Sequence, residues 1–286
     1  MKKLTMSLLL LLPGIALAER IDQTVLQQFV TAQIDLQAQI TAMCEGDKKI
    51  TPIASWQQAA SGWFAVQALQ LPAAEFVETG FAYVFWPDPK DRLRKQVNQA
   101  ISQPPAQEDW KDLPASVRSL SAIEYLLMQE KPTQYCDWLQ TISAHQVAQS
   151  QQFSSLQRFY DFERAEQIAA LHGTALTLHA HLKDVPSNDA KLNWFLAPGW
   201  RSESQPIIEN ALLLQTQKLL ALFAGKHEDI AQWQNQLKSL PMLSLSSTRA
   251  DIEKVNSTSE AFAEYVENTL APALDIYMGF NNFDGD

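Results

Sequence analysis

Apolar residues recur at helical spacing along almost the whole chain. Val25, Leu26, Phe29, Leu36, Ile40 and Met43 predict a first long helix. A second follows Thr51-Pro52, with Thr51 as cap and Pro52 in the first helical position, and carries Trp56, Trp63, Phe64 and Val66. A third is expected over 73–83. The string "FWPDPKDRLRKQV" makes a corner, with Asp88 and Pro89 as the cap and first-turn pair of a helix reaching toward Ile101. Further helices are expected at 116–128, 133–150, 153–183, 207–223 and 227–240. A last one starts at Thr248, with Asp251 three residues on, and runs to about Tyr277. Two turn-rich strings, "ISQPPAQEDWKDLPAS" and "LAPGWRSESQP", interrupt the pattern. No strand pattern competes. The expectation is an all-α fold of two packed four-helix-bundle-like halves, residues 19–148 and 149–286, with no Pro/Gly/Ser linker marking the divide.

The first residues stand apart. Lys2 and Lys3 precede the apolar run Leu4–Leu12, and Ala16-Leu17-Ala18 is a small-x-small cleavage signal. This reads as a secretory signal peptide over 1–18, too short to span a bilayer. No later stretch approaches transmembrane length. The expected location is the periplasm or cell envelope.

Composition sharpens this in three ways. Only 9 glycines occur, and β-branched runs are scarce, which favours helices. The formal charge is −10, so nucleic acid and anionic membrane are disfavoured as partners. The 2 cysteines, Cys44 and Cys136, in an exported chain read more readily as a disulfide than as a metal site.

One residue breaks the helical pattern. In "SLSAIEYLLMQ", residues 119–129, Glu124 projects at about 40° on a helical wheel that sets Leu120 at zero, between Leu120 and Val117. It therefore lies inside the apolar arc. A buried carboxylate costs several kcal/mol, roughly, unless it is paired or hydrogen-bonded. Glu124 must meet an arginine, a hydroxyl or a metal, or hold its proton. Arg201, beside Trp200 in the second corner, suits either an anion clamp or a partner for Glu124. The histidines, His145, His172, His179, His181 and His227, contain no H-x-x-x-H pair. His172 and His179 are two turns apart, too far to share an ion unaided. Each reads as a core or surface histidine. Glu75 and Glu78 read as a solvated face, and the tail with Asn281, Asn282, Asp284 and Asp286 is too short and irregular for a calcium loop. There is no HExxH motif, no G-x-S-x-G elbow and no phosphate-cradling glycine loop.

The string "SLSAIEYLL" resembles the Gly-x-His-x-x-Glu helix of the imelysin, or M75 peptidase, family. "FAYVFWPDPKDRLRKQV", "GWRSES" and the terminal "GFNNFDGD" resemble signatures of one branch in the same order, from about residue 40 to 286, and both cysteines fall where that branch carries them. The resemblance implies an all-helical exported protein associated with bacterial iron uptake. It places Ser119 and Ser121 where the motif has glycine and histidine, and leaves Glu124 as the one matching ligand of a metal site. It also implies that Trp86, Asp88, Arg92, Trp200 and Arg201 join Glu124 and Ser121 around a cleft, and that the tail docks. The implied cofactor is iron or another divalent cation. The implied partners are iron- or haem-uptake proteins of the envelope. A serine cannot supply the missing imidazole nitrogen, so a binding or accessory role is expected ahead of peptidase activity. An M75-type metallopeptidase and a partner-binding scaffold without a small ligand are the alternatives.

Overall fold

The computed structural model describes residues 20–76, 83–104, 110, 112–186 and 192–278. The expected signal peptide, Glu78 and the acidic tail lie outside these residues, as does the side chain of Glu75. The described chain is all-α. Its main helices are α1 (Ile21–Cys44), α2 (Ile53–Ala68), α3 (Arg92–Ser102), α4 (Leu120–Leu127), α5 (Cys136–Gln157), α6 (Arg164–Leu182), α7 (Gln205–Ala221), α8 (Ile230–Lys238) and α9 (Arg249–Tyr265). None of them is long and apolar enough to cross a membrane.

Helix α1 packs on α5 and α2, and α6 packs on α7 and α9. Helix α2 joins the two sets by lying against α7 and α6. A single apolar core runs through both, with Trp56, Trp63, Tyr83 and Phe29 among its largest fully buried side chains. The Trp63 and Tyr83 rings stack at 4.3 Å. Gly62 lets α1 cross α2 closely: a Cβ there would sit 3.3 Å from the Phe29 backbone, tighter than most such contacts. Cys44 and Cys136 are bonded, S–S 2.03 Å, tying the end of α1 to the start of α5.

Several boundaries differ from expectation, each for a local reason. Pro52 is the cap of α2 and Ile53 its first residue. The expected third helix is a short 3-10 turn at Pro72–Phe76 in its described part. Helix α3 begins only at Arg92, because Asp91 is left-handed (φ 47°, ψ 47°). Asp88 still caps it, its carboxylate accepting the backbone N–H groups of Arg92 and Leu93 at 2.8 and 2.9 Å. Helix α4 is shorter than expected. Ser119 is extended and caps it, its hydroxyl oxygen accepting the Ala122 N–H at 3.2 Å. The expected divide at 148/149 falls inside α5, which continues to Gln157 through a run free of breakers. The chain turns at 158–163 instead, where Glu163 and Glu166 close a capping box on α6. Thr248 and Asp251 form the expected box on α9. The last helix stops short of Tyr277. Pro272 offers no N–H to the carbonyls behind it, the helix widens to a π turn at Val266–Leu270, and Asp275 (φ 57°) ends it.

Candidate functional site

Three segments converge on Glu124. The first is α4 itself, whose start is fixed by the Trp56 indole N–H donating to the Leu120 carbonyl at 2.7 Å. The second is the irregular segment 84–88. Its Phe85 N–H donates to the Ser121 hydroxyl oxygen at 3.0 Å. The third is the corner 199–204. There Gly199 is left-handed (φ 74°), and a Cβ at that position would meet Ile208 Cδ1 at 2.8 Å. Glu203 is left-handed too (φ 55°), so Trp200–Ser202 forms a single tight turn. That turn aims its amide groups inward.

Glu124 is 2% exposed. Its Oε1 accepts the Ser202 backbone N–H at 2.9 Å and the Ser202 hydroxyl at 2.7 Å. Ser204 Oγ lies 2.7 Å from Ser202 Oγ, and the Gln57 side-chain amide donates to Ser204 Oγ at 3.1 Å. With Glu124 ionised, each donor in this line points toward the carboxylate: Gln57 to Ser204, Ser204 to Ser202, Ser202 to Glu124. Burial pushes the Glu124 carboxyl above its ordinary range. The two Ser202 hydrogen bonds, the nearby Arg201 charge and the Arg201 backbone N–H oppose that rise without cancelling it.

The expected site residues divide as follows. Glu124, Ser121, Trp86, Asp88, Trp200 and Arg201 all line one small cavity of about 30 Å³. Arg92 does not join them: its side chain is exposed and only its backbone N–H takes part, in the Asp88 cap. Arg201 does not close on Glu124. Its guanidinium lies over the Trp200 ring, 4.5 Å from the centroid, and donates to Asp91 Oδ1 at 2.6 Å. Burial would raise the Asp91 carboxyl, but hydrogen bonds from Arg94 and Arg201 hold it below its ordinary range. Asp91 thereby links α3 to the 199–204 corner.

These surroundings suit a carboxylate that accepts hydrogen bonds. Oε1 is taken by two donors from Ser202, its hydroxyl and its backbone N–H, and a backbone N–H cannot ligate a metal. Ser121 Oγ is engaged by Phe85, and the Asp88 carboxylate by α3. Among the described residues, no group of three or more His, Cys, Asp or Glu side chains is gathered as a metal set.

A second buried carboxylate escaped the sequence reading. Glu209 of α7 is fully buried, and both its oxygens lie 3.1 Å from His181 Nδ1 of α6. Burial raises the Glu209 carboxyl, and the His181 charge and hydrogen bond oppose it. The His181 ring is edge-on to Phe64 and to Trp86, each at 4.6 Å. Trp86 therefore has the Glu124 cavity and the His181–Glu209 pair as neighbours. The other α6 histidines face separate glutamates: His172 lies 3.8 Å from Glu267 of the π turn, and His179 lies 4.0 Å from Glu260 of α9. The two glutamates, like the two histidines, are two turns apart, so they do not converge.

The imelysin (Peptidase M75) family model matches residues 23–191. A crystal structure of an imelysin-like protein from Psychrobacter arcticum 273-4 shares the fold, with TM-score 0.72 at 15% identity, covering 90% of this chain and 93% of that one. A chain assigned as an iron-regulated protein A precursor from Parabacteroides distasonis ATCC 8503 superimposes with TM-score 0.59 at 13% identity, covering 85% and 88%. No curated protein matches. The family match spans more than half of the chain, and the chain belongs to the imelysin family.

Proposed function

We propose that this imelysin-family chain is exported to the periplasm and acts there as a binding or accessory component of iron or haem acquisition. The observation that carries the reading is the hydrogen-bond line from Gln57 through Ser204 to Ser202, whose hydroxyl and backbone N–H both donate to Glu124 Oε1. A peptidase of the M75 kind needs that carboxylate free for a metal, next to the imidazole that Ser121 replaces. The name of the Parabacteroides neighbour, an iron-regulated protein, supports the iron connection. The disulfide supports an oxidising compartment. Haem is far larger than the cavity at Glu124, so on this reading haem or an iron carrier meets another surface.

The test is calorimetric titration of the purified mature chain with ferrous iron, ferric iron, zinc and haem. Binding of iron or haem that survives Glu124→Gln supports the proposal. Inertness toward all four would remove the iron reading and leave the second one, a scaffold that holds another envelope protein. Glu124 paired inside the fold favours that second reading too. Chelator-sensitive cleavage of casein, lost in Glu124→Ala, would establish the peptidase instead.

A further inference from the structure

A groove of about 880 Å³ lies over α2, between α1 and α7, away from the Glu124 cavity. Its floor is small: Ser61, Gly62 and Ala65 of α2 line it, with Gln58 one turn earlier. One wall is Thr24, Gln27, Gln28, Thr31 and Asp35 of α1, and the other is Ile207, Ala211, Leu214 and Lys218 of α7. All three rows repeat at three, four or seven residues, so three helices present parallel ridges with a channel between them. Ile207 and Leu214 stay 45% and 44% exposed on the α7 wall. Two polar atoms at the channel are orphaned: Ser61 Oγ and Gln215 Nε2 are buried without a hydrogen-bond partner, in residues 9% and 5% exposed. An orphaned buried donor is costly.

The charges at its ends are opposite. Gly62 abuts Phe29, and the Gln57 amide reaches Ser204 just before α7, so Asp35 and Ile207 mark the α2 N-terminal end. Lys218 lies eleven residues further along α7. Arg158 follows Gln157, whose side chain bonds Asp22 at the start of α1, so Arg158 and Lys218 mark the other end. From Thr24 to Asp35 the channel is about 16 Å long, about three helical turns. On a chain with 32 acidic and 22 basic residues, one end of this groove is locally positive. A helix carries a positive N-terminus and a negative C-terminus. We propose that the groove receives an amphipathic helix of a partner protein, its N-terminus at Asp35 and an acidic C-terminal turn at Arg158 and Lys218, in the manner of helix-in-groove recognition.

The test uses the mature chain and two fluorescein-labelled 18-residue peptides of leucine, alanine and glutamine. One carries glutamates in its last turn, the other lysines. Anisotropy should show the acidic-ended peptide binding at least tenfold more tightly. Ala65→Leu, which fills the floor, and Ala211→Leu, which fills the wall, should each weaken it at least tenfold with thermal unfolding little changed. Two variants guard against a failure of either one to fold. Arg158→Glu with Lys218→Glu should reverse the preference. The proposal is overturned if neither peptide binds, if both bind alike, or if binding ignores the filled floor and wall. It is also overturned if Ala65→Leu abolishes a self-dimer seen by sedimentation, or binding of dextran, in place of peptide binding.

Discussion

Ser202 meets Glu124 twice at one oxygen, through its backbone N–H at 2.9 Å and its hydroxyl at 2.7 Å. The two residues are 78 apart in sequence, one in helix α4 and the other in the second corner, so this contact fastens the 199–204 turn to α4. Removal of the hydroxyl leaves the backbone bond but takes the last member from the Gln57–Ser204–Ser202 line. Ser202→Ala should destabilise the chain by about 1–3 kcal/mol, read by urea unfolding. Ser202→Thr, which keeps the hydroxyl, should recover part of that loss. An unfolding midpoint unchanged in Ser202→Ala would mean the contact is incidental.

The same carboxyl gives a pH dependence of known sign. Burial raises Glu124 above its ordinary value, so the native state holds the proton more tightly than the unfolded chain does. The stability contributed by this group is full below about pH 4.3, the unfolded value, and is lost as pH rises through the folded value. Glu124→Gln cannot lose a proton. The stability of the Gln variant relative to the parent should therefore rise with pH from about 4.3 upward. Denaturation curves at a series of pH values check this, and a difference that falls with pH would reverse the assignment.

Glu209 and His181 form a buried pair that bridges α7 and α6. His181→Ala strands a carboxyl in the core and should cost about 3–5 kcal/mol. His181→Ala combined with Glu209→Leu should recover much of it, because an apolar pair needs no compensation. Thermal unfolding of the two variants measures this. Equal loss in both would show that His181 matters by packing against Phe64 and Trp86 alone.

The disulfide closes a loop spanning 92 positions. Native, unreduced protein should take up no thiol label, and reduction should cost up to about 4.6 kcal/mol on the chain-entropy account. Two labelled thiols in the folded protein would contradict the bridge.

What the sequence made legible follows from how local each signal is. Helical periodicity and the Thr248–Asp251 cap are written within a turn or two of chain, and most of the expected helices emerge with them, while the one over 73–83 shrinks to a 3-10 turn in its described part. The position of Glu124 in an apolar arc is likewise local. Its partner is not. Ser202 reaches it only because Gly199 and Glu203 both turn left-handed, and nothing in "GWRSES" announces where the inward amides will land. Arg201 is the more conspicuous residue of that string, yet it turns to Asp91, whose own left-handed backbone was equally hidden. Glu209 is different. In "PIIENALLL" it sits among Ile208, Leu212 and Leu213, and the wheel that singled out Glu124 applies to it unchanged. No break falls between the helices expected over 133–150 and 153–183, because Gln151 and Gln152 lie on the exposed face of α5, where polar residues continue a helix as readily as they end it.

The central claim is that the fold's own donors, not a metal, compensate Glu124. The direct measurement is the side-chain carboxyl ¹³C shift of Glu124, assigned by its loss in Glu124→Gln and titrated with pH, with and without zinc or ferrous iron. The account predicts a midpoint above about 4.3 that neither ion moves. A shift on adding either ion, with the midpoint driven down, would contradict it.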